Sequence, residues 1–117
     1  MTEEKLKEFK DLYNEFFTKC EKICGELKRF KRDYGYCNEF IPMDNNVYCR
    51  GHEYWSYGGH EEYEEYEEYF PTILLTYTEE EVKNHVDNLL SLAEEEKRRK
   101  TERLEKEKEK KYKEYEN

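Results

Sequence analysis

No apolar run in this sequence approaches the length of about 18 residues that a bilayer-spanning helix needs, so a membrane partner is not expected. The first residues, Met1, Thr2, Glu3 and Glu4, are acidic where a secretory leader is basic, so a cytoplasmic protein is expected. In that compartment the four cysteines stay reduced and serve as small apolar groups, metal ligands or reactive thiols rather than as a disulfide frame. The chain also lacks a glycine-rich phosphate loop, a serine elbow and the paired histidines of a helical zinc protease. No thiol or hydroxyl is accompanied by a recognisable base and oxyanion-binding element, so the protein is expected to be no enzyme and to need no cofactor. Aliphatic residues are few, and 44% of the residues are charged, a balance that leans toward disorder. The aromatics, 16% of the chain, supply the bulky apolar area that a disordered chain lacks.

One more absence is local. Residues 61–81 contain nine carboxylates and no basic side chain, whereas the remaining segments nearly balance, so the net charge of -9 sits in one short stretch. A local negative field of this kind steers cationic partners and repels nucleic-acid phosphates. At 117 residues there is room for a single domain over 1–117 with one core.

Leu6, Phe9, Tyr13, Phe16, Cys20, Ile23, Leu27 and Phe30 recur at alternating steps of three and four, a heptad seam, and Leu12, Phe17 and Cys24 widen it. A helix over residues 3–32 is predicted, ended by Tyr34 and Gly35. Residues 36–77 mix Tyr, Trp, Val and Ile with turn formers and read as a small antiparallel sheet of two to three strands. Turns are expected at 43–46 and at Gly58–Gly59. Tyr63, Tyr66 and Tyr69 have period three, which matches neither a strand nor a helix, so the acidic run reads as the connection from the sheet into the second helix. Pro71 points to an edge strand, a bulge or a break there.

Thr78 and Glu81 form a capping box at the start of that second helix. Its apolar face, Val82, Val86, Leu89, Leu90 and Ala93, spans 79–93 and then stops. Over 94–117 the pattern is a polar helical tail with i,i+4 pairs: Glu94 with Arg98, Glu95 with Arg99, Glu96 with Lys100, Glu102 with Lys106, Glu107 with Lys111, and Glu109 with Lys113. The fold class is therefore α+β, with a long N-terminal helix, a small antiparallel sheet and a long C-terminal helix ending in a charged tail. The short apolar face of the second helix cannot cover the whole seam. Leu6, Phe9, Tyr13 and Phe16 are left for the sheet, for a partner or for self-association as a homodimer.

Cys37, Cys49, His52 and His60 are the one metal-like constellation, with Cys49 and His52 as a close pair. Familiar zinc modules have two close pairs. Here the spacing is loose, and the competing reading is of cysteines buried in strands and histidines at the surface. Cys20 and Cys24 share a helical face and read as core, and His85 reads as a boundary residue. Tyr48, Tyr54, Trp55 and Tyr57 suit base stacking, but a single-strand binder needs a cationic groove and only Arg50 is near, so direct nucleic-acid binding is not expected. The acidic run pairs carboxylates with rigid amphipathic rings. Glu61, Glu62, Tyr63, Glu64, Glu65, Tyr66, Glu67, Glu68 and Tyr69 are the candidate partner-binding residues, suited to a basic protein surface such as a nucleic-acid-binding groove. The bland alternative is that these carboxylates protect an exposed strand edge from aggregation.

In size, acidity and Lys/Glu/Tyr/Asn-rich composition the chain resembles the small acidic orphan proteins of bacteriophages and mobile elements of AT-rich bacteria. Among these are anti-CRISPR and other anti-defence inhibitors, some of them DNA mimics. The resemblance is one of composition and implies a non-catalytic inhibitor of a host nucleic-acid enzyme. It assigns no role to any individual residue. Beside it stand a structural or adaptor protein working through the heptad helix and a small zinc-binding module.

Overall fold

Thr2 sits in extended backbone and its hydroxyl accepts from the Lys5 amide at 3.2 Å, while Glu3 and Glu4 occupy the positive end of the helix it opens. That helix, α1, runs Glu3–Leu27 in the computed structural model, which describes residues 1–116, with side chains through Lys111. It ends at Leu27 and not at 32. Arg29 and Phe30 donate backward to Glu26 and Leu27, and Lys31 turns into extended backbone (φ -143°) that leads to a 3-10 helix over Arg32–Tyr36. Ending there buries Tyr34, whose phenol donates to the Tyr69 carbonyl, and brings the Lys31 ammonium 2.6 Å from Glu68. A continued helix would forfeit both contacts.

Three antiparallel strands follow in the order β1-β2-β3: β1 Glu39–Pro42, β2 Asn46–Tyr57 and β3 His60–Pro71. The turns fall as the sequence predicts. Met43 donates to the Asn46 carbonyl at 2.8 Å, and Gly58 and Gly59 take φ of 58° and 86°, the two positive values of a type I′ hairpin turn. The acidic run is β3 itself, and the connection to the second helix is a separate 3-10 helix over Thr72–Thr76. Pro71 closes the strand on a sheet edge, one of the positions it tolerates.

The chain divides into two compact units, Met1–Val86 and Asp87–Asn117. In the first, one face of the sheet meets the C-terminal half of α1. Phe70, Val47, Cys49 and Phe40 from the strands pack with Cys20, Ile23, Cys24 and Leu27, and Leu74, Val82 and Val86 complete the core. The second helix, α2 (Glu79–Glu116), starts in this unit under the predicted capping box. The Thr78 hydroxyl accepts from the Glu81 amide at 3.2 Å, and the Glu81 carboxylate accepts from the Thr78 amide at 3.1 Å. Lys22 pairs with Glu79 at 2.9 Å beside it. In the second unit α2 is polar and exposed from Ser91 through Lys111, with Glu95 and Arg99 paired at 3.0 Å. The expected partner of Glu109, Lys113, lies outside the described side chains. No helix among the described residues is long and apolar enough to cross a membrane.

Candidate functional site

Strand alternation divides the acidic run between two faces of the sheet. Glu61, Tyr63, Glu65, Glu67 and Tyr69 point outward and are exposed, in register with Ser56, Tyr54, His52, Arg50 and Tyr48 of β2. Glu62, Glu64, Tyr66 and Glu68 point to the core side. Glu62 and Glu64 still meet solvent because the hairpin projects past the body there, but Tyr66 and Glu68 are only 3% and 9% exposed. Tyr66 stacks on Tyr36 with ring centroids 4.5 Å apart and donates to Glu53 at 3.1 Å, and the Arg32 guanidinium lies 5.4 Å over the Tyr36 ring. Glu68 holds Lys31. These last two members of the run anchor the strand to the body.

The anchoring depends on Gly51. A Cβ there would stand 1.8 Å from the Tyr36 carbonyl oxygen, so only glycine lets the 3-10 helix pass against β2. The approach is fixed on its far side by the Asn38 amide, which donates to the Arg50 carbonyl at 2.9 Å.

On the outward face, phenols and carboxylates pair along one diagonal of the ladder. The Tyr48 phenol is influenced most by Glu67 and the Tyr54 phenol most by Glu61; each carboxylate lies two residues off the direct partner, in the same sense. His52 and Tyr63 follow the same diagonal with rings 5.7 Å apart. This is the direction that the right-handed twist of a strand pair brings together. Tyr63 also donates to Glu65 at 3.0 Å. The carboxylate contacts hold the phenols protonated. Tyr48 is pushed up to about 12, first by Glu67, and the Tyr54 and Tyr63 phenols are raised by Glu61 and Glu65. Tyr66 reaches about 12 through burial first and then its bonds to Glu64 and Glu53.

The positive charge on this face is already engaged. Arg50 forks onto Glu39 of β1, its Nε 2.9 Å from the carboxylate. A shallow cleft of about 310 Å³ runs along Arg50, His52, Tyr63, Glu65 and Glu67, open to solvent and walled by carboxylates. The outward face thus presents Glu61, Glu65 and Glu67 with the exposed rings of Tyr54, Tyr63 and Tyr69; Arg50 lies opposite Glu67 and feels the charge of Glu65, but its close ion pair is with Glu39.

The zinc constellation does not assemble. Cys49 is fully buried on the core face, whereas His52, three residues on, points outward because an odd step along a strand changes face, and His60 lies exposed at the hairpin turn. Cys37 and Cys49 instead approach Cys20 and Cys24. The Cys24 and Cys49 sulfurs are 3.9 Å apart, and burial pushes the Cys20 and Cys37 thiols up to about 12. Among the described residues no group of three or more His, Cys, Asp or Glu is arranged to hold a metal.

The self-association candidates lie on the N-terminal half of α1. Leu6, Phe9 and Tyr13 are 44%, 60% and 52% exposed, and Phe16 is half-buried. Leu12, one of the residues that widen the seam, is 65% exposed and belongs to the same surface. Comparison with known proteins identifies no family model, no curated protein and no solved structure that this chain matches.

Proposed function

We propose that this protein is a non-catalytic binding module whose outward sheet face holds a basic protein surface, with carboxylates standing where phosphates of a nucleic acid would. The observation that carries this reading is the row Glu61, Glu65 and Glu67, exposed beside Tyr54, Tyr63 and Tyr69 with the nearby Arg50 committed to Glu39. Glu65 and Glu67, alternate residues of the strand, stand about 6.7 Å apart, comparable to successive phosphates along an extended nucleic-acid strand, and Glu61 stands about two such steps further, beyond Tyr63. The phenols provide rigid contact area around the charges. Such a surface suits the groove of a nucleic-acid-handling protein and would inhibit it by occupancy.

The test is affinity capture from a bacterial lysate by the wild type and by a variant carrying Glu61→Lys, Glu65→Lys and Glu67→Lys. A specific basic protein should be captured at about 50 mM salt, released by about 300 mM, displaced by added DNA or RNA, and missed by the variant. Capture that the variant and salt leave unchanged would sink the reading.

A second reading has its own observation. Leu6, Phe9, Leu12 and Tyr13 form an exposed apolar stripe on successive turns of α1, and contiguous stripes of that kind mark interfaces. In this reading the protein is an adaptor that pairs through α1.

A further inference from the structure

The ladder register fixes which way each backbone group of β3 points. The two-residue turn closes on Tyr57 and His60, so the directly bonded pairs fall at the even residues of β3, and the odd residues turn their amides and carbonyls away from β2. Three bonds outside the ladder agree with this phase. Thr72 donates to the Asn45 carbonyl, Asn38 donates to the Arg50 carbonyl, and Tyr34 reaches the Tyr69 carbonyl from the open side. Tyr34 therefore closes the free edge at 69. From Glu61 to Glu67 the edge stays open, and no partner among the described residues meets the backbone of Glu61, Tyr63, Glu65 or Glu67.

An open edge of this length is a template for another strand. Its charge selects the occupant. A second β3 laid alongside would set glutamate against glutamate on both faces, and like charges directly opposite destabilise a pair. A strand bearing Lys or Arg at alternate positions meets Glu61, Glu65 and Glu67 on the outward face with opposite charge. We infer that β3 takes up an extended basic segment of its partner as a fourth strand, through the backbone of Glu61, Tyr63, Glu65 and Glu67. The inference rests on the basic-partner reading above and adds the partner's conformation and docking edge.

The probe is a peptide of about seven residues alternating Lys and Val, compared with two forms N-methylated along one edge or the other. Trp55 lies across the hairpin from Glu62 and reports binding by its fluorescence. Strand addition predicts that methylating the docking edge weakens binding by about 10-fold or more at roughly 50 mM salt, while methylating the far edge does not. It also predicts that the amides of Glu61, Tyr63, Glu65 and Glu67 become protected from hydrogen exchange. Equal binding of all three peptides overturns strand addition and leaves the acidic surface in place. The same holds if the peptide fails to bind while a compact basic protein such as a histone-fold domain binds with salt dependence. If neither binds at low salt, both readings fall.

Discussion

Replacing Gly51 by alanine places a methyl group 1.8 Å from the Tyr36 oxygen, 2.7 Å from its carbonyl carbon and 2.9 Å from the Cys37 Cα. All three are backbone atoms, so no side-chain rotation relieves the clash, and the 3-10 helix must move off the sheet. Overpacking of this kind costs about 1–3 kcal/mol. Displacement also loosens the Asn38–Arg50 bond and the Tyr36–Tyr66 stack, each worth about 1 kcal/mol. Against this, alanine gains roughly 0.5–1 kcal/mol over glycine in chain entropy. The net expectation is a loss of about 3 kcal/mol, or a fall in Tm on the order of 10 °C for a chain of this size. Gly25 is the internal control, because a Cβ there meets nothing within 4 Å. Gly25→Ala should raise stability by about 0.5–1 kcal/mol. Urea and thermal unfolding followed by far-UV circular dichroism measure both. A loss below about 1 kcal/mol for Gly51→Ala, or a loss of any size for Gly25→Ala, would refute the packing argument.

If the α1 stripe mediates pairing, Phe9→Asp with Leu12→Asp should convert a dimer to a monomer in sedimentation at tens of micromolar while leaving helix content unchanged, and a wild type already monomeric there ends that reading. The buried thiols give a pH dependence of definite sign. Cys20 ionises near 9 when unfolded but only near 12 when folded, so its contribution is fully present below about pH 9 and is lost as pH rises toward 12. For this thiol the slope is about 1.4 kcal/mol per pH unit inside that window, and urea midpoints that stay flat from pH 8 to 11 would contradict it.

Much of the fold could be read because its signals are local. The capping box at Thr78 and Glu81, the glycine pair at the hairpin turn and the α1 periodicity each depend on residues within one or two turns of each other. The third strand is masked in the sequence by its tyrosines, whose period of three matches neither a strand nor a helix when all three are assigned to one face. In a strand that period places Tyr63 and Tyr69 on one face and Tyr66 on the other, and the buried phenol is the one that anchors. The Cys49 and His52 pairing failed for the same reason of parity, a signal present in the sequence once β2 is recognised as a strand. Other features are nonlocal. The early end of α1 is set by Tyr34 reaching Tyr69 and Lys31 reaching Glu68, and the approach of Cys24 to Cys49 by packing of a helix on a strand. No spacing along the chain reveals either.

The rigid strand also changes what the carboxylates do energetically. On a flexible tail, like charges spread apart, whereas Tyr66, Glu68 and Phe70 root β3 in the body and keep its outer carboxylates at fixed spacing. Glu53 of β2 lies directly opposite Glu64, a like-charge pair that destabilises the ladder by a few tenths of a kcal/mol. The Tyr66 phenol, which donates to Glu53, and the charge of Arg32, which acts on Glu64, offset part of this repulsion, and a bound cation would offset more. Glu64→Gln should therefore raise the stability of the free protein slightly, reduce the stabilisation that added salt gives the wild type, and weaken capture of a basic partner. Unfolding midpoints at about 50 and 300 mM salt, set beside binding for the same variant, test the trade. A variant that loses stability would show that Glu64 is not held under repulsion in the free state, and one that gains stability but binds a basic partner more tightly would show that Glu64 takes no part in binding.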